Sequence, residues 1–446
     1  MRILGIVLII SEIFSQSYKL EDCVIIALEN KRTLLSANLG IRSSEKGVIG
    51  AFSNLLPNVS FNSGASRTNF AERKSISGID VDLNEFSLDT IYSTTNHFNN
   101  ISTGLSLNQT LYNGNRNRNQ IKLARLNLDL AKLNERLIKT QVIQSVINSY
   151  FNLLQAYELL EVAKKNKEMS DQQVSLVKKQ FDLGVVKKSD LLKARVAQGQ
   201  AKVDLLNKNT TLENSRRVLF NDMGLQDFGQ EILPFRDKWI AKKLHSSSEI
   251  LKQLKENNPS LLLSKKQVDI NDISYDLIKG SRLPAINSSL SYSAVSDDFG
   301  SLNDAILDDW SFGMNVSIGI PIYTGKNLIM QQHQAKISID QSEHSYLNLL
   351  NDLKVQAEQI KESLENFSEI IPINESVVNS AEEDLKLVRE RYSLGSATIL
   401  EVLDAQVSLF RSNSTLINSI HNARILEANF KAILGSLDLE YKNKDK

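Results

Sequence analysis

KQFDLGVVKKSDLLKARVA at residues 179–197 and ERYSLGSATILEVLDAQVS at residues 390–408 are one stretch written twice. Phe181-Asp182-Leu183-Gly184 aligns with Tyr392-Ser393-Leu394-Gly395, and Asp190, Ala194 and Val196 align with Glu401, Ala405 and Val407, all at an offset of 211 residues. Upstream, Leu111-Tyr112-Asn113-Gly114 matches Ile322-Tyr323-Thr324-Gly325 at the same offset of 211. Two separate motifs sharing one offset mark an internal duplication, with no insertion between the Tyr-x-Gly and Leu-Gly motifs. Each half reads as a helix, two strands, a very long helix, a turn at Leu-Gly and a last helix.

The duplication sets the boundaries. A first repeat spans residues 18–222, with strands at 57–70 and 98–112 and a turn near Gly184; a second spans 249–436, with strands at 283–295 and 310–323 and a turn near Gly395. Residues 223–248 connect the two, and 437–446 form a polar tail. Residues 1–17 read as a secretory signal: Arg2, then the apolar run Ile3 to Ile10, then small Ser15 and Ser17 before a cut at Tyr18. No other stretch approaches the ~20 apolar residues of a membrane-spanning helix.

The strand segments alternate. Odd positions from Ile101 to Leu111 and even positions from Phe312 to Ile322 are mostly apolar, while the positions between them are mostly Ser, Gly, Asn or Thr. Val59 to Ser66 and Ile286 to Val295 alternate more weakly. Period two over roughly ten residues, with one apolar and one small polar face, is the pattern of a transmembrane β-strand. A soluble sandwich with one wet face shares that period. The connections at 71–98 and 296–309 read as long polar loops, such as barrels carry on their outer side.

The helical segments are heptad-like. Leu123, Leu126, Leu130, Leu133 and Leu137 step by three and four, and Leu350, Leu353, Ala357, Ile360 and Leu364 do the same in the second half. Asn115 to Phe181 holds no proline, and at 1.5 Å per residue would extend about 100 Å. Pro372 in the second half predicts a kink or break.

Four strands cannot close a barrel, because the smallest membrane barrels use about eight. An open sheet in lipid leaves unsatisfied backbone groups at several kcal/mol each. If the strands enter the membrane, several copies must therefore share one barrel, with the polar face lining a wet lumen. The helices, too polar for lipid, would wall a tunnel below it.

The duplicated order of helix, two strands, long helix, turn and helix resembles the TolC-like outer-membrane channel proteins. The resemblance covers roughly Leu20 to Leu437 and is carried by the two Leu-Gly turns with their downstream acid and Ala-x-Val, the Leu56-Pro57 and Leu283-Pro284 steps into strands, and the Tyr-x-Gly strand exits. It implies an α+β membrane protein: a homotrimeric 12-stranded β-barrel, four strands per chain, embedded in outer-membrane lipid and continued by a helical barrel in the periplasm. It implies a passive exit duct for small molecules or polypeptides, served by a periplasmic adaptor and an inner-membrane transporter. The competing reading is a soluble periplasmic coiled-coil scaffold.

The resemblance also assigns residues. The turns Leu183-Gly184 and Leu394-Gly395 form the tip that an adaptor would grip; glycine there has its own reason, the left-handed residue that ends a helix. Glu401 and Asp404 match a ring of carboxylates at the tunnel entrance, where repeated like charges attract cations. Glu401 also completes the capping box Thr398-x-x-Glu401, so ring and cap are both open for it. Asp404 has no capping role, and Lys193 stands at its counterpart in the first repeat. Asp190 and Tyr392 match a pair that latches the closed entrance, a phenol hydroxyl donating to a carboxylate. A further latch arginine is expected where this chain has Ala397; Lys187 or Lys188 are the substitutes at hand.

Composition narrows the rest. Fifty-two basic residues balance 52 acidic ones, without the basic footprint of a nucleic-acid binder. The single cysteine, Cys23, allows no internal disulfide, and Leu20-Glu21-Asp22 before it is unlike a lipid-anchor signal, leaving a partly buried helix thiol. His97, His245, His333, His344 and His421 are scattered without metal-ligand spacing, and no phosphate loop or nucleophile motif occurs, so no enzyme, metal or cofactor is expected.

Overall fold

The computed structural model describes residues 18–71, 73–82, 85–93, 96–226, 239–240 and 246–442. The expected signal segment and much of the connecting segment lie outside them. In chain order the elements are α1 (Leu20–Asn30), α2 (Arg32–Ser53), β1 (Asn58–Phe70), β2 (Arg73–Asp82), β3 (Glu85–Ser93), β4 (Asn96–Asn113), α3 (Arg116–Asp182) and α4 (Lys188–Asp222). Then come α5 (Ser247–Asn257), α6 (Pro259–Gly280), β5 (Ala285–Ser296), α7 (Leu302–Leu307), β6 (Trp310–Gly319), α8 (Asn327–Ser393), α9 (Ile399–Leu434) and α10 (Leu437–Lys442). Among the described residues, no helix is long and apolar enough to cross a membrane.

The chain divides into two compact units. One, residues 44–128 and 268–341, holds the sheet. Its four long strands lie in the order β1-β4-β5-β6, each antiparallel to the next. β6 stops at Gly319, short of the expected residue 323, because Pro321 has no N–H for a ladder. Both strand-to-helix junctions use two consecutive left-handed residues, Gly114-Asn115 at φ 67° and 64° and Gly325-Lys326 at φ 61° and 65°.

The two strand connections are structured. Instead of a polar loop, β2 and β3 form an antiparallel hairpin, in register with Ile79 opposite Leu88 and Val81 opposite Phe86. That period-two pattern is hidden in the sequence by the Ser and Asp residues around it. In the second half the connection holds the short α7, where the Tyr292 hydroxyl donates to the Ile306 carbonyl at 2.5 Å.

The other unit, residues 1–43, 129–267 and 342–446, is helical over its described elements α1, α4, α5, α9, α10 and the parts of α2, α3 and α8 that it holds. One core packs α1, the middle of α3 and the ends of α4 and α9 around Ile143, Val146, Tyr150, Leu219 and Met223. Cys23 lies in it, and burial pushes its thiol pKa up to about 12, so it is an inert apolar filler. A second core joins α5, α8 and α9 through Ile250, Leu254, Ala357, Leu364 and Phe430.

Of the kink or break expected at Pro372, the break does not occur: α8 continues as a helix through it. Packing flanks the missing N–H: Ile371 is buried, and Asn374 donates to Ser419 of α9 at 3.0 Å. The C-terminal segment is also more than a polar tail. Leu437 of α10 enters the first core, and Asp438 is buried against Arg136, whose Nε donates to it at 2.8 Å while a guanidinium NH2 donates to the Gly435 carbonyl at 2.9 Å.

Candidate functional site

The sheet sorts its side chains by register. One set of rows across β1, β4, β5 and β6 reads Asn58/Asn108/Ser289/Asn315 and Ser60/Ser106/Ser291/Gly313. The rows between them read Val59/Leu107/Leu290/Met314 and Phe61/Leu105/Tyr292/Phe312. Because successive side chains point to opposite faces, the sheet has one small polar face and one apolar face. The polar face is knit across strands: Ser60 and Ser106 hydroxyls lie 2.7 Å apart, Ser293 and Ser311 2.9 Å, and Thr110 donates to Asn287 at 3.1 Å. Gly104 lets the backbones close up, since a Cβ there would sit 2.6 Å from the Tyr292 carbonyl oxygen.

The apolar face is bare. Phe61, Phe312, Met314, Val316 and Ile318 are each more than half exposed. Tyr292 stacks on Trp310 with ring centroids 5.5 Å apart. Such an apolar stripe marks a surface that meets a partner or a membrane, and β1 and β6 are the edge strands of the four-stranded sheet.

The Leu-Gly turns end α3 and α8 alike. Gly184 and Gly395 are left-handed at φ 75° and 72°. In each, the residue after glycine donates back to close the helix, Val185 N to Gln180 O at 2.8 Å and Ser396 N to Arg391 O at 2.9 Å. The turns raise Leu183 and Leu394 to 80% and 82% exposure, beside exposed Val185. Beneath them a third core binds both hairpins: Val177 and Leu191 pack with Leu385, Val388, Tyr392, Ile399 and Val402.

That core revises the latch. Tyr392 is 8% exposed, and its hydroxyl donates to Gln180 at 2.9 Å rather than to Asp190. Asp190 acts on it only through charge: burial first, and then the Asp190 carboxylate, push the phenol pKa up. Ala397, where an arginine was expected, packs partly buried on the same core. Around Tyr392 the two hairpins of one chain are therefore joined by apolar packing and the neutral hydrogen bond to Gln180.

The two acids differ. Glu401 is the capping residue: the Thr398 N–H donates to its Oε1 at 3.0 Å, and the Glu401 N–H donates to the Thr398 hydroxyl at 3.3 Å. Those bonds from Thr398, with Arg391 at 3.7 Å adding charge, hold the Glu401 pKa below its ordinary value. A depressed carboxylate stabilises the fold above its unfolded pKa and loses that contribution as pH falls through its folded one. The α9 start is thus expected to fray only in acid below the ordinary glutamate range, and Thr398→Ala should move that onset to higher pH, read as protease cleavage at the tip. Asp404 is exposed and, among the described residues, carries no hydrogen bond or ion pair.

Sequence reading missed the polar seam between α3 and α9, in which Gln144 meets Asn429 at 2.8 Å, Gln155 meets Asn418 at 3.0 Å and buried Gln406 donates to Asn166 and Ser170 at 2.9 Å. Glutamine and asparagine on long helices look like solvated faces until the partner helix is known. His421 is 3% exposed, with Nε2 3.3 Å from Glu158. Among the described residues no cluster of metal-ligating side chains occurs.

A family model described as "Outer membrane efflux protein" matches residues 25–225 and 250–436. Outer membrane protein TolC of Salmonella enteritidis is 24% identical over 352 residues, covering 76% of this chain and 70% of that protein. TolC of Vibrio cholerae is 22% identical over 425 residues, covering 92% and 89%. A solved structure of CusC has a TM-score of 0.80 at 21% identity, covering 95% of this chain and 93% of that one. The Campylobacter jejuni CmeC outer membrane channel also scores 0.80, at 18% identity, covering 94% and 86%.

Proposed function

This chain belongs to the outer membrane efflux protein family, and from that membership we propose that three copies form a passive exit duct, receiving cargo at the Leu183/Leu394 tip from a periplasmic adaptor and an inner-membrane pump. It is an outer-membrane channel component and not an enzyme. The observation that carries the trimer is the four-stranded sheet with a bare apolar face and two open edges. Three copies supply twelve strands, closing every edge and turning the apolar stripe to lipid. The hydroxyl- and amide-bearing face then lines water. The apolar tip turns suit a protein partner, since exposed leucines on rigid turns are ready anchors.

Membrane extraction followed by mass measurement in detergent tests this. A particle of three chains is expected; a soluble single chain overturns the reading.

Asp404 is the proposed entrance ring, repeated once per copy. Asp404→Asn is expected to lower cation-over-anion permeability several-fold in planar bilayers, read from the reversal potential under a salt gradient. Glu401→Gln is expected to change it less, because Arg391 already offsets that charge. Equal selectivity in Asp404→Asn and the unmodified channel removes Asp404 from the constriction.

A further inference from the structure

The polar face of the four-stranded sheet holds no acidic or basic side chain among the described residues. Arg67 and His97, the basic residues on these strands, stand opposite Asn99 and Asn69 on rows of the other face. The polar rows are mostly serine, asparagine, threonine and glycine, with Phe70, Phe98 and Val295 as uncharged exceptions, and three of their cross-strand contacts bond hydroxyl to hydroxyl or hydroxyl to amide. A fixed charge acts on a passing solute only within roughly 8 Å at physiological salt. A wall without such charges cannot sort solutes by sign. A wall whose hydroxyls and amides already bond one another also has fewer free groups with which to hold cargo.

We infer that the membrane section of this duct is a charge-neutral, self-bonded hydroxyl and amide wall that passes hydrated cargo of either charge without binding it. This rests on the proposed duct. Charge selection then lies outside the sheet, with Asp404 at the tip as one source.

The test uses the full-length protein in planar bilayers, with Asn108→Asp and Asn108→Lys placing a ring of either sign on the polar face. From a neutral wall, the two variants should shift the reversal potential in opposite directions by similar amounts, the acidic ring raising cation permeability several-fold and the basic ring lowering it. A response to only one sign shows a wall already charged and overturns the inference, as does an open channel that responds to neither. Where a charged variant does not assemble, Asn108→Cys assembled first and then labelled with cationic or anionic thiol reagents gives the same readout, since Cys23 is fully buried. A thiol at 108 that no aqueous reagent reaches in a conducting channel also overturns it. Absence of any channel in the unmodified protein would instead count against the duct itself.

Discussion

Met314→Arg is expected to abolish stable assembly in the outer membrane, while Asn315→Arg, one residue away, is expected to leave assembly intact. Met314 closes the apolar row with Val59, Leu107 and Leu290, and it is 70% exposed in the single chain. In a barrel that exposure is to lipid. An arginine facing lipid near the midplane costs about 2–4 kcal/mol per chain, so three copies lose about 6–12 kcal/mol. That rivals the ~5–15 kcal/mol stability of an ordinary folded protein. Asn315 lies on the polar row with Asn108 and Ser289, where an arginine keeps its water. The amount of three-chain particle recovered from membranes measures both variants. Equal recovery would mean that β6 does not meet lipid; loss in Asn315→Arg alone would mean that the faces are inverted.

Gly435→Ala is expected to destabilise the helical unit by about 2–5 kcal/mol, combining a left-handed alanine at about 1–2 kcal/mol with overpacking at about 1–3 kcal/mol. Gly435 has φ 70°, and a Cβ on it would lie 2.2 Å from the Asn257 carbonyl oxygen, which is backbone and cannot swing away. The neighbouring bonds fix that approach: the Asn258 amide donates to Ile433 O at 2.7 Å, and Arg136 holds the Gly435 carbonyl itself. Gly395→Ala shares the left-handed φ but has open space around it, so about 1–2 kcal/mol is expected there. Gly224, the first-repeat counterpart, meets Asn30 at 3.0 Å and falls between the two. Denaturant titration in detergent followed by helical signal ranks them. Equal losses in Gly435→Ala and Gly395→Ala would contradict the close packing of the α5 end against α9.

The period-two strands, the long helices and both glycine turns were legible because each follows from local chemistry: alternating faces, heptad steps and a left-handed helix end need no distant partner. The Gly435 contact was not legible, because nothing in GSLD at 435–438 announces the carbonyl that approaches it from 257. The β2–β3 hairpin was missed for the opposite reason, a real alternation masked by turn-forming Ser and Asp. Pro372 does not end its helix, and its neighbours are packed: Ile371 is buried and Asn374 bonds Ser419 of α9.

The duplication and the two-faced strands therefore stand on the chain alone, since a repeat and a pleat are properties of neighbouring residues. So does the expectation of more than one copy if the strands enter lipid, which follows from four strands and the energetics of an open edge there. The state of the tip is different. Whether Tyr392 bonds Asp190 or Gln180, whether Ala397 is a lost arginine or a core residue, and whether Glu401 is spent on its cap or free depend on which side chains the fold brings within 3 or 4 Å. A resemblance can nominate those residues, but a hydrogen bond goes to the acceptor in reach, and reach is set by how two hairpins pack.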